Sequence, residues 1–356
     1  MLKNHLIKND SKNFKELSLN SSALYFIKSS NIEKMFFQIN KISPQIIKTF
    51  NSNNFIGHTI RDISKSINNS FFNLLNEKSL INSFECENDS TLGAGEYSFL
   101  IYGGQYLTLY NIDGQLKKIS WNTNTHDSIK QIRWSSYHRS YLIMTSRLFI
   151  LLTLFSYELI PIKEIFQSNE QLQLFTCYQT DLWLVYLLSL TKKQRFVYYN
   201  LSEWERNNST TEKCFSLDQL GLYRTDTICA IENDQNGECL GLLIAERNQN
   251  LTVGIQRRRR LIIISIYNML PLRIVYFSGA DDLYWTLTSV INRQISKTGW
   301  LLSKYFNNEL TFIDNKCTNK LTCIEYKKEL RNLAITIDRH YLILRTINSL
   351  DIYQID

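Results

Sequence analysis

The spacing of apolar residues changes near residue 80 of this 356-residue chain. Before that point, apolar residues recur every three or four positions, as on one face of a helix. One such stripe, Ile32–Ile42, starts at the capping-box sequence Ser30-Asn31-Ile32-Glu33, and a second stripe runs from Ile60 to Leu75. We therefore predict a helical, partly flexible extension over residues 1–78. Its helices could self-associate, or they could form only by docking, because short helices are marginal on their own.

Beyond residue 90 the pattern becomes that of strands, and one module recurs. It is an apolar strand, a tight turn and a second strand that ends in an aromatic or aliphatic residue followed by Asn, Asp or Gln. In the clearest copy a Gly103-Gly104 turn joins Ser98–Gly103 to Tyr106–Asn111, and Gly-Gly favours a hairpin because both residues tolerate positive φ. The other predicted pairs are Tyr141–Thr145 with Leu148–Thr153, Trp183–Leu188 with Arg195–Asn200, Leu240–Ala245 with Leu261–Asn268, Trp300–Tyr305 with Glu309–Asp314, and Tyr341–Arg345 with Leu350–Gln354.

An apolar strand precedes each hairpin and another follows most of them, so the repeating unit has four antiparallel strands. The units recur at about 40 to 60 residues, close to the length of a propeller blade. We predict a mainly β fold, with residues 79–356 forming a β-propeller of about six four-stranded blades. A seventh blade stays possible.

The ends of the third strands carry a family resemblance. They are Leu109-Tyr110-Asn111, Tyr198-Tyr199-Asn200, Ile266-Tyr267-Asn268, Phe312-Ile313-Asp314 and Ile352-Tyr353-Gln354. Each resembles the Trp-Asp position of WD40 repeats in degenerate form, although no Trp-Asp dipeptide occurs and the one Gly-His pair, Gly57-His58, lies in the extension. The resemblance is to the WD40-like superfamily and covers about three-quarters of the chain by its repeat pattern. It implies a propeller that serves in protein interaction.

The last predicted blade lacks a strand, because Leu350–Gln354 is its third and the sequence stops at Asp356. The short apolar stretch Ser79–Glu85 could complete that blade and so close the ring. It could equally be the first strand of the first blade.

Composition excludes some classes of protein. Hydrophobic residues make up 44% of the chain and aromatic residues 13%, which is enough apolar surface for a folded core. The net charge of +7 is spread along the chain and does not indicate a nucleic-acid partner. The seven cysteines show no metal-ligand spacing, and no apolar stretch has the length of a membrane span. We expect a cytoplasmic protein with reduced thiols, no cofactor and no bound metal.

Two features are candidate binding residues. The run Arg257, Arg258, Arg259 and Arg260 is predicted at the end of a long loop between strands, where it could bind an anionic partner such as a phosphate group, an acidic peptide or RNA. The alternative is a solvated loop that protects a sheet edge, as charge runs usually form solvated faces. Trp204, between Glu203 and Glu205 in a polar connection, has the composition of an interface anchor.

No catalytic constellation stands out in the sequence. Adjacent carboxylates such as Asp281-Asp282 are common in turns and would point apart in a strand. We therefore expect a non-catalytic scaffold or adaptor that binds protein or peptide partners through the propeller faces and the N-terminal helices. The alternative is a hydrolase or lyase with its site in the central channel. Converging carboxylates, His or Arg at the channel mouth would favour this alternative.

Overall fold

The structure is a computed structural model. The residues that it describes are 75, 79–86, 91–164, 169–191, 193–206, 213–223, 226–246, 258–278, 285–292, 297–304, 307–314, 321–338 and 340–355. The predicted helical extension over residues 1–78 lies almost entirely outside this set, and its helices stay a prediction.

Four of the blades are separate four-stranded antiparallel sheets whose strands follow chain order from the innermost to the outermost. Blade 1 contains β2 (Leu92–Ala94), β3 (Phe99–Tyr102), β4 (Tyr106–Asn111) and β5 (Gly114–Ser120), and blade 2 contains β6 (Ile129–Ser135), β7 (Ser140–Thr145), β8 (Leu148–Leu152) and β9 (Leu159–Glu164). Blade 3 contains β10 (Glu170–Tyr178), β11 (Asp181–Leu188), β12 (Gln194–Asn200) and β13 (Lys213–Phe215), and blade 4 contains β14 (Asp226–Asn233), β15 (Cys239–Glu246), β16 (Arg258–Ser265) and β17 (Pro271–Ser278).

Blades 5 and 6 share one long strand, so they form a continuous seven-stranded sheet. The strands of this sheet are β18 (Trp285–Asn292), β19 (Lys297–Lys304), β20 (Asn307–Asp314), β21 (Leu321–Ile335), β22 (Tyr341–Thr346), β23 (Ser349–Gln354) and β1 (Leu80–Glu85). The first part of β21 pairs with β20 as the outer strand of blade 5, and the second part pairs with β22 as the inner strand of blade 6. Two short helices, α1 (Thr123–His126) and α2 (Leu201–Glu205), lie in connections.

The innermost strands close into a ring. Each of β2, β6, β10, β14, β18 and β21 contacts the next, and β21 contacts β2 again. Within the described residues this gives six blades, in agreement with the number expected from the repeat pattern.

Apolar side chains fill every gap between neighbouring blades. The described residues form six buried apolar clusters, one for each pair of adjacent blades. This arrangement explains why strands such as β7 are buried at every position, because a blade inside the ring has a neighbour on both faces. Tryptophans on strands belong to these clusters: Trp183 and Trp300 are 2% and 0% exposed. Gly241 of blade 4 makes room for the second of these, since a Cβ there would lie 2.6 Å from the Trp300 ring.

The strand β1 completes the last blade. It pairs antiparallel with β23, and the pairing continues beyond the strand on both sides, through Gln354 N to Ser79 O at 2.9 Å and Cys86 N to Asn348 O at 3.1 Å. Of the two roles that the sequence left open for Ser79–Glu85, the structure assigns ring closure.

Two details differ from the expected strands. The segment Ile266-Tyr267-Asn268 was expected to end a third strand, but β16 ends at Ser265 and these residues form the turn that leads into β17. The outer strand of blade 3 was not predicted, because β13 has only three residues and follows a long polar connection.

Candidate functional site

A groove of about 470 Å³ lies between the outer parts of blades 3 and 4. Blade 3 contributes aromatic residues on β11, β12 and β13, and blade 4 contributes the turn between β16 and β17. The lining residues that matter here are Trp183, Tyr198, Lys213, Phe215, Tyr267 and Leu270.

The floor of the groove is an aromatic cluster built by strand register. Trp183 and Tyr198 are partners across β11 and β12, and their ring centroids lie 4.8 Å apart. Trp183 also stacks on Phe196 at 5.4 Å, and Phe215 of β13 lies 6.0 Å from it. Side chains on one face of neighbouring strands meet in this way because they alternate along each strand. Trp183 and Phe196 are buried in this floor, and Tyr198 and Phe215 are partly buried.

Polar groups sit at one end of this floor. The Tyr198 hydroxyl donates a hydrogen bond to Asp181 Oδ1 at 2.9 Å, and Lys213 Nζ lies 5.7 Å from the Tyr198 ring centroid. Burial, and then the neighbouring Asp181 carboxylate, raise the pKa of Tyr198 to about 12. Tyr198 therefore keeps its proton at neutral pH and orients the carboxylate at the edge of the groove.

The blade 4 side of the groove is a turn with an exposed apolar tip. Met269 has a positive φ of 56° and is buried, so the chain reverses sharply around it. Asn268 Oδ1 accepts the Leu270 N–H at 3.0 Å and holds the turn. Tyr267 and Leu270 consequently point outward, with 82% and 56% of their surface exposed.

The apolar surface continues from this turn along β17. Leu272, Ile274 and Tyr276 alternate along the strand and are 59%, 39% and 58% exposed; we call them the blade 4 strip. Residues two apart share one face of a strand, so the three side chains form a row. The row lies on the face of blade 4 that is turned toward blade 3. The outer strand of blade 3, β13, has three residues and β17 has eight, so β13 is too short to cover the whole row.

Comparisons with known proteins match the fold. No protein-family model and no curated protein matches the chain. Among solved structures, a chain of the mitotic checkpoint complex is similar, with a TM-score of 0.50 at 8% identity over 78% of this chain and 95% of that one. A gluconolactonase from Xanthomonas campestris is similar with a TM-score of 0.51 at 7% identity over 78% and 91% of the two chains, and hydrazine synthase from Kuenenia stuttgartiensis with 0.50 at 8% over 75% and 84%.

The chain is a divergent β-propeller. The closed ring of blades and these likenesses agree with the propeller fold that the repeats predict. At identities this low, the likeness concerns the fold alone.

The centre of the propeller holds a cavity of about 300 Å³ that all six innermost strands line. Its charged pair joins blades 2 and 4: Arg133 Nη2 lies 2.9 Å from Glu232 Oε2. Beside it, Asn233 Nδ2 donates to Thr176 Oγ1 at 3.1 Å, and Gln235 Nε2 donates to Ser289 O at 2.9 Å. These contacts fasten blade 3 to blade 4 and blade 4 to blade 5.

The acidic groups of the cavity have internal partners. Burial raises the pKa of Glu232, while the charge of Arg133 opposes that rise. Asp234 Oδ1 accepts the backbone N–H groups of Glu238 and Cys239 at 2.7 and 3.0 Å, so it holds the turn after β14. The channel thus brings together carboxylates and an arginine, the grouping expected for an enzyme site there. The Arg133–Glu232 contact also joins blades 2 and 4, and Asp234 holds a turn.

The predicted arginine run lies mostly within a strand. Arg257 is outside the described residues and Arg258 starts β16, whereas Arg259 and Arg260 are 1% and 2% exposed. The Arg260 guanidinium pairs with the buried Asp226 carboxylate and lies 5.0 Å from the Tyr223 ring centroid. Two of the four arginines are therefore interior residues, in contrast to the expected solvated loop. Anion binding by the run stays a prediction.

The other predicted site residue, Trp204, lies in α2, so the expected irregular connection begins as a short helix. Its role as an interface anchor stays a prediction. Within the described residues, no group of three or more His, Cys, Asp or Glu is placed to hold a metal ion. No helix in that part of the chain has the length and apolar character to cross a membrane.

Proposed function

We propose that this propeller is a non-catalytic protein-interaction scaffold and that it binds a protein or peptide partner in the groove between blades 3 and 4. One observation carries the proposal: Tyr267 and Leu270 are exposed beside an aromatic floor in which Trp183 is buried and Tyr198 and Phe215 are partly buried. Aromatic residues are enriched at interface cores, and binding energy concentrates where an anchor fills a well-packed pocket.

The chemistry of the groove describes the partner. The floor and tip are mainly apolar, and two charged residues of the lining, Asp181 and Lys213, offer one negative and one positive charge. A short apolar segment flanked by polar residues fits this pattern. Such a segment would exclude water from Tyr267 and Leu270, and burial of apolar surface stabilises a complex by about 25 cal/mol per Å² before the costs of association.

Quantitative affinity purification of the full-length protein tests the proposal. We expect Tyr267→Ala to lower the recovery of bound partners about tenfold or more, as truncation of an interface anchor does. Phe155→Ala is the matched control, because Phe155 is an exposed aromatic residue of blade 2, away from the groove. Equal recovery of every partner by both variants and the wild type would refute the proposed site.

The alternative, a hydrolase or lyase in the central channel, is supported by the partly buried Arg133–Glu232 pair. A buried carboxylate with a raised pKa is a candidate acid or base. We therefore expect that any hydrolysis of esters or lactones by the purified protein would disappear in Glu232→Gln if this alternative holds. Hydrolysis that survives in Glu232→Gln, or none in the wild type, would count against it. The cytoplasmic location expected from the sequence stays a prediction.

A further inference from the structure

The strand β17 is the outermost strand of blade 4 and has an open second edge within the described residues. Its exposed side chains are the blade 4 strip of Leu272, Ile274 and Tyr276, all apolar or aromatic. The cation of the strand, Arg273, is turned inward and donates to Asp314 O of blade 5. Long, uncharged, apolar edge strands pair with strands of other chains unless something blocks them.

The outermost strands of the other blades are blocked in recognisable ways. Exposed charges stand on β1 (Glu85), β5 (Lys117 and Lys118) and β21 (Glu325 and Lys327), a proline stands at the centre of β9 (Pro161), and β13 has only three residues. Lysine, proline and shortness are the usual protections of a sheet edge. Proline also occurs in β17, but Pro271 is its first residue and leaves the rest of the edge able to pair.

We propose that β17 pairs with β17 of a second copy of this chain, antiparallel, around a two-fold axis at Ile274. In this register Ile274 faces Ile274 of the second copy, and Leu272 faces Tyr276. A two-fold axis perpendicular to the sheet keeps both strips on the same face, so the six side chains form one apolar patch. Aromatic and β-branched cross-strand pairs of this kind stabilise antiparallel sheets.

Charge and area both suit a second copy. The exposed side chains of the strip carry no charge, so the symmetric contact brings no like charges together. Exposed apolar residues continue at both ends, with Tyr267 and Leu270 before the strip and, at the other end, Tyr223 next to Arg260, the cross-strand partner of Tyr276. The strip and these three flanking residues make six residues in each copy. At roughly 200 Å² for a whole large side chain, these six expose on the order of 700 Å² per copy. A standard interface takes about 800 Å² from each partner.

Sedimentation of the full-length protein tests the pairing. We expect the wild type to sediment as a dimer and Ile274→Lys as a monomer, because two lysines would meet at the axis. Ile160→Lys is the matched control: Ile160 stands on the outermost strand of blade 2, is 43% exposed where Ile274 is 39%, and should leave the dimer intact. Circular dichroism melting should show that both variants are folded.

A second variant tests the register itself. Residues directly opposite in an antiparallel pair have Cβ atoms about 4.5–5.5 Å apart, so the introduced thiols of Ile274→Cys should form an intermolecular disulfide on oxidation. Ile160→Cys should not. A monomeric wild type, a dimer that Ile274→Lys leaves intact, or equal crosslinking by both cysteine variants would overturn the proposal. Tyr267 belongs to both surfaces, so partner recovery is also measured for Ile274→Lys. Partner recovery by this monomer tests the groove, and sedimentation tests the edge, so the two proposals can fail independently.

Discussion

The outermost strands of blades 4 and 6 hold the same place in their sheets and differ in chemistry. On β1 of blade 6, Ser83 donates a 2.5 Å hydrogen bond to the Asp351 carboxylate, which is 1% exposed. The same carboxylate accepts hydrogen bonds from Tyr326 at 2.6 Å and Lys328 at 2.9 Å. On β17 of blade 4 the outward side chains are the apolar strip, and no described polar side chain holds it.

The polar contacts of β1 and the apolar side chains of β17 indicate different roles for the two edges. The strand β1 comes from the opposite end of the sequence, and Ser83 and Asp351 are 268 residues apart. Closing so long a loop costs entropy, which specific contacts at the seam must offset. The strand β17 follows β16 through a short turn and needs no such lock. Within the described residues its outward side chains are exposed, and substitutions at the two edges test whether β1 is structural and β17 binds a partner.

The largest expected effect follows removal of the seam carboxylate. We expect Asp351→Ala to lower the free energy of unfolding by about 3 kcal/mol, because Ser83, Tyr326 and Lys328 lose the carboxylate that accepts their hydrogen bonds. Urea denaturation of the full-length protein measures this change. Asp218→Ala, at an exposed turn position, is the control and should change stability by less than about 0.5 kcal/mol. Equal stability of the two variants would show that the network does not lock the ring.

The same carboxylate should make stability depend on pH. Burial alone would raise the pKa of Asp351, but hydrogen bonds from Ser83, Tyr326 and Lys328, with the Lys328 charge, hold it below the usual value. Because the folded pKa lies below the unfolded value of about 3.9, the stabilisation is complete above the unfolded pKa and is lost as pH falls through the folded pKa. The free energy of unfolding of the wild type, measured from about pH 7 to pH 3, should therefore fall more steeply than that of Asp351→Asn. Parallel curves would contradict this assignment.

A smaller effect isolates the contact made by the closing strand. We expect Ser83→Ala to cost about 1 kcal/mol of unfolding free energy, the worth of one hydrogen bond to a charged group that water can partly replace. In the Asp351→Ala background the same substitution should cost almost nothing, because the acceptor is already gone. A cost that is the same in both backgrounds would mean that Ser83 acts elsewhere than through Asp351.

The sequence predicted the repeated part of this molecule because the signals were local. The Gly103-Gly104 turn, the alternation of apolar residues and the third-strand endings each fix a hairpin within about twenty residues. The role of Ser79–Glu85 could not be read locally, since an apolar stretch does not show which strand it will pair with. Its partner lies at the far end of the chain.

The groove was missed for a related reason. Tyr267 fits the pattern of a third-strand ending, yet Met269 reverses the chain and leaves the tyrosine exposed. The arginine run gave the opposite error: charge runs are usually solvated, but Arg259 and Arg260 are buried. Arg260 is interior because Asp226, 34 residues earlier, supplies a buried carboxylate. Neither fact is visible in a window of sequence around the residue concerned.

The smallest expected effect concerns the blade 4 strip. We expect Leu272→Thr to change the unfolding free energy of the monomer by less than about 0.5 kcal/mol, because an exposed side chain adds little to the fold and threonine keeps a high preference for strands. The measurement is made in the Ile274→Lys background, so that self-association does not contribute to stability. A loss above about 1 kcal/mol would mean that the strip packs on its own blade. A negligible loss, beside the large cost of Asp351→Ala, would mark β1 as an edge that holds the ring and β17 as an edge kept for contact with another chain.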